Sequence, residues 1–151
     1  MRILFICHGN ICRSPTAEFI MKYLTREAGV YEKFVIASAA TSTDDLGSDM
    51  YSKAKSELNR HKIPHEHRKA RQLRSNEYSN WDLIIAMDDE NLRDILSILG
   101  GDPCEKVRLL MSFAGENRSV EDPWYTRNFA KAYDDIYNAC SELLAKLSQT
   151  L

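Results

Sequence analysis

Cys7 and Arg13 stand six residues apart near the start of the chain, in Cys7-His8-Gly9-Asn10-Ile11-Cys12-Arg13-Ser14. A thiol and a guanidinium at this spacing suit chemistry on a tetrahedral oxyanion. The planar guanidinium of Arg13 binds two oxygens of such a group at once. The thiol becomes a nucleophile when a positive field favours its thiolate. Attack in line on the phosphorus of a phosphoester then gives a cysteinyl-phosphate. A leaving phenolate or alkoxide requires a proton, so the chain must supply a general acid from elsewhere. Asp122, in Glu121-Asp122-Pro123-Trp124-Tyr125, is the best placed carboxylate. Pro123 stiffens the backbone beside it, and Trp124 and Tyr125 offer aromatic walls to an aryl group.

The elements around the thiol supply the field. Arg2 to Ile6 is almost wholly apolar, as in strands buried on both faces of a parallel sheet. Ser14 reads as the N-cap and Pro15 as the first residue of a helix that carries Ala17, Ile20, Met21, Leu24 and Ala28 on one face and stops at Gly29. The loop thus joins the carboxyl end of a strand to a helix N-terminus. Its backbone N–H groups, from His8, Gly9, Asn10, Ile11, Cys12, Arg13 and Ser14, converge on an anion there. Gly9 removes a side chain from the approach. Ser14 is placed to donate to the Cys7 sulfur when it departs.

The remaining pattern predicts strands at Phe34–Ala37, Asp82–Met87 and Val107–Met111. It predicts helices from Asp49 to about Lys62, through Leu92–Leu99, and from Phe129 to Leu147. Segments from Ser38 to Ser48 and from Ser112 to about Thr126 read as loops. The basic run from His65 to Arg74 reads as a solvated loop. Alternating strands and helices imply an α/β fold of three layers: a four-stranded parallel sheet with helices on both faces, in one domain spanning 1–151. Asp122 then emerges at the same edge of the sheet as Cys7.

Composition narrows the field. The 151 residues are 44% hydrophobic and 28% charged, with a formal net charge of −2. Nothing in that balance suggests nucleic acid as a partner. No run approaches the roughly 20 apolar residues of a membrane span, and the short apolar start is no secretory signal, so a cytoplasmic location is expected. The four cysteines, Cys7, Cys12, Cys104 and Cys140, make no disulfide framework. Cys7 and Cys12 as a metal pair lack two further ligands at suitable spacing, so no metal is expected. Cys140 falls on the apolar stripe of the last helix and reads as a core thiol. Asp122 also admits a plainer reading, as a turn residue before proline. Trp124 and Tyr125 admit three: a rim, core packing or modification sites.

Cys7-x-Gly9-Asn10-Ile11-Cys12-Arg13-Ser14-Pro15-x-Ala17-Glu18, followed far downstream by Glu121-Asp122-Pro123, resembles the signature of the low-molecular-weight protein tyrosine phosphatases. Ser38, Lys69-Ala70-Arg71-Gln72, Met87-Asp88 and Asn91-Leu92-Arg93 extend the resemblance along essentially the whole chain. It implies hydrolysis of phosphotyrosine proteins and small aryl phosphates, with inorganic phosphate or similar oxyanions binding the same loop and no cofactor. It implies Cys7 as nucleophile, Arg13 as phosphate ligand and Asp122 as acid, then base. Asn10 and Ser38 would hold the loop in shape. Cys12 would be the thiol able to pair with Cys7 under oxidation, or else a packed free thiol.

Two departures bear on substrate preference. Where many members carry an aromatic after the second strand, this chain has Asp44, with Asp45 beside it, giving the entrance an acidic wall. Where relatives have His before Lys-Ala-Arg-Gln, this chain has Arg68, with His67 one earlier. Three other readings use the same loop: arsenate reductase, which needs a further nearby Cys pair; protein arginine phosphatase, whose members carry Thr in place of Ile11; and a phosphate-binding module without catalysis.

Overall fold

The computed structural model describes all 151 residues. Four parallel strands run in the order β2-β1-β3-β4: β1 is Arg2–Cys7, β2 Val35–Ala40, β3 Leu83–Ala86 and β4 Val107–Leu109. The helices are α1 Arg13–Glu27, α2 Ser52–Arg60, α3 Asp89–Leu99, α4 Pro123–Thr126 and α5 Phe129–Ser148. This is the three-layer α/β arrangement that the strand and helix pattern predicts.

β1 is the organising strand. Ile3, Leu4, Phe5 and Ile6 are all fully buried. Successive side chains of a strand point to opposite faces. Ile3 and Phe5 accordingly pack in the larger core under α1, α2 and α5, while Leu4 and Ile6 pack in the smaller one under α3. Four such side chains at about 1.5–3 kcal/mol each anchor the strand firmly. Its carboxyl end carries Cys7, which therefore stands on a rigid support. β2 lies on one side of β1 and β3 on the other, so the chain reverses direction across the sheet at β1. Ligands of open α/β sheets bind at such a point.

α5 buries Phe129, Tyr133, Ile136, Cys140, Leu143 and Leu144, the stripe expected from their spacing. Burial pushes the Cys140 thiol well above the ordinary value, as befits a core residue. α3 begins at Asp88, whose carboxylate accepts from Asn91 N–H at 2.7 Å, and ends at Gly100 in the left-handed conformation, φ 78°. No helix is long and apolar enough to cross a membrane.

Several local expectations are corrected. α1 starts at Arg13 with Cys12 as N-cap, so Ser14 and Pro15 lie inside its first turn. The Ser14 hydroxyl is engaged with the loop and does not cap the helix. Pro15 is still at home, because first-turn N–H groups have no partner within the helix. α2 is shorter than Asp49–Lys62. Asp49 accepts from the N–H of Met50 and Arg68 and pairs with Lys55, which draws its segment away from helical geometry. β4 gives way at Leu110 to a 3₁₀ turn, Leu110–Ala114, and the loop before α5 contains α4.

The largest correction concerns His65–Arg74, which is no solvated loop. Ala70 N–H donates to Ser48 O at 2.7 Å and Leu73 N–H to Ala40 O at 2.8 Å. Ala40 N–H donates to Arg71 O at 2.7 Å. Ala70 and Leu73 are buried. The segment is a strap along the end of β2. Arg71 grips the buried Glu77 through two bonds of 3.1 and 3.0 Å, and Glu77 also accepts from Arg74 N–H at 2.6 Å and Trp81 Nε1–H at 3.0 Å. Burial opposes the charge on Glu77, but these donors outweigh it and hold its pKa below the usual value. A run of charges revealed nothing of this, because Ala70, Leu73 and a partner six residues downstream turn the strap inward.

Candidate active site

The loop between β1 and α1 is shaped from behind by Asn10. Its backbone takes the left-handed conformation, φ 59°, which asparagine tolerates better than most residues. Its side chain is fully buried and donates from Nδ2 to Ser14 Oγ at 2.8 Å and to Ser38 Oγ at 2.9 Å. Ser38 in turn donates to Glu18 Oε1 at 2.6 Å. Two groups converge on the Cys7 sulfur: Ser14 Oγ at 3.0 Å and Asn10 N–H at 3.3 Å.

Arg13, on the first turn of α1, is only 3% exposed. Its Nη1 donates to Asp88 Oδ2 at 2.7 Å and to Val120 O at 2.9 Å, and its Nη2 lies 3.4 Å from Asp122 Oδ2. Burial works against the charge, yet Cys7, Asp122 and Asp88 hold the guanidinium above its ordinary pKa. Asp88 thus serves twice, capping α3 with one oxygen and aiming Arg13 with the other.

Asp122 caps α4 in the same divided way. Oδ1 accepts from Trp124 N–H at 3.0 Å, and Oδ2 faces Arg13. Pro123 is buried at the first helical position, fixing the backbone beside it. Trp124 stands edge-on to Tyr51, centroids 5.0 Å apart, with Arg127 bonded to Tyr51 Oη at 3.0 Å. Trp124 keeps 46% of its surface exposed and Tyr125 81%. Both line the cavity described below, and neither belongs to the core.

Together these groups enclose an open cavity of about 230 Å³. It is lined by Cys7, His8, Gly9, Ile11, Cys12 and Arg13 of the loop, and by Asp44, Asp45, Asp122, Trp124 and Tyr125. A thiol, a guanidinium and a carboxylate face one space large enough for an aryl phosphate. Among the residues of the loop, Asn10 and Ser14 do not line the cavity. Both are fully buried, with the Asn10 side chain bonded to Ser14 and Ser38, and the Asn10 N–H and the Ser14 hydroxyl aimed at sulfur. A Cβ at position 9 would come 2.5 Å from Asp45 Oδ2, so glycine lets that carboxylate lie against the loop. His8 Nε2 and Asp44 Oδ2 pair at 2.7 Å on the exposed side of the mouth. Burial, followed by the negative groups Cys7 and Asp122, pushes the Cys12 thiol up to about 12.

Residues 2–151 match the family described as low molecular weight phosphotyrosine protein phosphatase. The chain belongs to that family. It is 34% identical to the low molecular weight phosphotyrosine protein phosphatase of Homo sapiens over 149 residues, covering 95% of this chain and 94% of the human one. The crystal structure of YfkJ from Bacillus subtilis superposes with a TM-score of 0.94 at 32% identity, over 99% of this chain and 96% of YfkJ. The crystal structure of DARP, a drosophila arginine phosphatase, gives a TM-score of 0.87 at 28% identity, over 97% and 98% of the two chains.

Against the family's pattern, Arg68 is placed unexpectedly. Its type was read as bearing on substrate preference, and it lines no part of the cavity. Its Nη2 donates to Asn10 Oδ1 behind the loop. Sequence reasoning also gave no role to the Val120 carbonyl or to the Asp88 carboxylate. Asp88 had a usable signal, since an Asp directly after a buried strand and before a helix is an N-cap with one oxygen to spare. The carbonyl of Val120 had none, because any residue type supplies it.

Proposed function

We propose that the protein hydrolyses phosphotyrosine, in proteins and as small aryl phosphates, through a cysteinyl-phosphate on Cys7. The observation that carries this reading is the convergence of Cys7, Arg13 and Asp122 on one cavity with aromatic walls. Arg13 and the loop N–H groups hold the phosphoryl oxygens. The Cys7 thiolate attacks phosphorus as the P–O bond to the tyrosyl oxygen breaks, and protonated Asp122 gives its proton to that oxygen. In the second step Asp122, now a carboxylate, takes a proton from water. The water oxygen bonds to phosphorus and the S–P bond breaks. The Ser14 hydroxyl 3.0 Å from sulfur stabilises the departing thiolate. Phosphate leaves, and no cofactor enters the scheme.

The same reading takes residues 1–151 as one catalytic domain, since Cys7 and Asp122 come from opposite ends of the sequence. All four cysteines are free thiols, which suits action in the reducing cytoplasm. A second reading is favoured by the likeness to the arginine phosphatase fold and by three carboxylates at the mouth, which suit a guanidinium. Ile11, which lines the cavity with an apolar side chain where arginine phosphatases resemble one another in carrying Thr, favours the aryl substrate. Side-by-side kinetics on phosphotyrosine and phosphoarginine decide. A kcat/KM at least tenfold higher on phosphotyrosine supports the first reading, and the reverse order overturns it.

A further inference from the structure

α4 is a single turn that carries two residues of the site, Asp122 as its N-cap and Trp124 as its second residue. One turn of helix is marginal by itself, because its nucleus fixes several residues for one hydrogen bond. Asp122 and Pro123 secure its first end, and Arg127 holds the other. The Arg127 backbone takes the left-handed conformation, φ 60°, and its N–H donates to Pro123 O at 2.9 Å. A residue with a Cβ enters that region at a cost, and glycine is the usual occupant at the end of a helix. Glycine would serve the backbone better, so the arginine is explained by its side chain.

That side chain folds back over α4. Nη1 donates to Trp124 O at 3.2 Å and Nη2 to Tyr51 Oη at 3.0 Å. The guanidinium lies 5.6 Å from the ring centroid of Tyr51, 5.8 Å from that of Trp124 and 5.4 Å from that of Phe129, within reach of cation–π attraction. Tyr51 completes the connection. Its ring stands edge-on to Trp124 and stacks on Phe129. Its backbone N–H donates to Ile11 O at 2.9 Å, in the loop between β1 and α1, and its carbonyl accepts from Ala54 and Lys55 N–H at the start of α2. Tyr51 is thus fixed to the loop by its backbone and to α4 by its ring and hydroxyl. Neither Tyr51 nor Arg127 lines the cavity.

We propose that Arg127, acting through Tyr51, is a positioning residue for the general acid: it registers α4 against the loop between β1 and α1 and so sets Asp122 and Trp124 at the leaving group. The inference rests on the phosphatase reading. Arg127 gives no proton and touches no substrate. It sets how often Asp122 stands where the leaving oxygen will be, which matters most for a group that cannot depart without a proton.

The strain at position 127 makes the test selective. Arg127→Gly removes the clamp and relieves the backbone, whereas Arg127→Ala removes the clamp and keeps the strain. Arg127→Ala should melt about 2–4 °C below Arg127→Gly, yet both should share one kinetic defect. Their kcat/KM should fall about two- to threefold with para-nitrophenyl phosphate and about twenty- to fiftyfold with phenyl phosphate. Competitive inhibition by inorganic phosphate should stay within about twofold, since the loop is untouched. Tyr51→Phe, which keeps the ring and removes the acceptor hydroxyl, should show the same pattern more weakly and add little to Arg127→Gly. Wild-type leaving-group dependence in Arg127→Gly, equal losses across the two substrates, or a defect that follows melting temperature instead of the clamp overturns the proposal. A second readout needs no turnover. Hydrogen exchange at the amides of Tyr125 and Thr126, which donate to Asp122 O, should speed up at least about threefold in Arg127→Gly, with the peptide bearing Cys7 unchanged. Unchanged exchange there also overturns it. If the wild-type protein fails to hydrolyse aryl phosphates while exchange rises as stated, the phosphatase reading fails and the hold of Arg127 on α4 stands.

Discussion

Replacing Asp122 with Asn separates its two tasks. The amide oxygen still accepts from Trp124 N–H, so α4 keeps its cap, and Asn is as good an N-cap as Asp. Thermal stability should therefore change by less than about 0.5 kcal/mol, whereas Asp122→Ala should lose about 1 kcal/mol with the cap. The transferable proton is gone in both. General acids contribute about 10² to 10⁴ in rate, and the upper part of that range applies to poor leaving groups. The assay is steady-state hydrolysis of a series of aryl phosphates spanning leaving groups from para-nitrophenolate to unsubstituted phenolate. For Asp122→Asn, kcat/KM should fall about tenfold with the former and about a thousandfold with the latter. Arg13 lies 3.4 Å from the lost charge, so anion binding should strengthen slightly and KM should not rise. Equal losses across the series would show that Asp122 acts on the phosphoryl group through Arg13 and gives no proton to the leaving oxygen. That result would refute the assignment.

The buried Glu77 makes the strap a source of acid lability. Its pKa is lowered in the folded protein, so its contribution is fully present above the unfolded value, about 4.3, and is lost as pH falls through the folded value. Glu77→Gln should cost about 2–3 kcal/mol at neutral pH and flatten the fall in stability below about pH 4.5, as checked by urea unfolding at several pH values. The mouth carries Asp44, Asp45 and Asp122 against one exposed histidine. Phosphotyrosine peptides with flanking Lys or Arg should therefore show kcat/KM about five- to tenfold above acidic ones. The gap should close in about 0.5 M salt and in Asp44→Asn/Asp45→Asn, because exposed pairs contribute at most about 1 kcal/mol each.

The loop was legible because its chemistry is local. Cys7, Gly9, Arg13 and Pro15 sit within one strand-to-helix junction, and each residue type has one task there. Asp122 was legible for a different reason: Asp-Pro-aromatic on a loop leaving β4 must emerge at the sheet edge that carries Cys7. The Ser14 hydroxyl was expected both to cap α1 and to meet sulfur; Ser14 lies inside the first turn, and its oxygen accepts from Asn10 Nδ2, so only the second holds. What escaped sequence reasoning depends on long-range pairing. The strap 65–74 has the composition of a solvated loop, and its backbone bonds to Ala40 and Ser48, with the Arg71–Glu77 pair, turn it inward. Arg68 reads at sequence level as a specificity change beside a motif. Its contact with Asn10, far earlier in the chain, makes it part of the nucleophile's support.

The most direct test of the account is to trap the intermediate. Asp122→Ala is mixed with excess para-nitrophenyl phosphate, quenched in acid within the first turnover and digested for mass spectrometry. Loss of the group that activates water should let a phosphoryl group accumulate on the peptide bearing Cys7, and the same experiment on Cys7→Ser/Asp122→Ala should show none. Turnover by Cys7→Ser, or a phosphoryl group found on any residue other than Cys7, would contradict it.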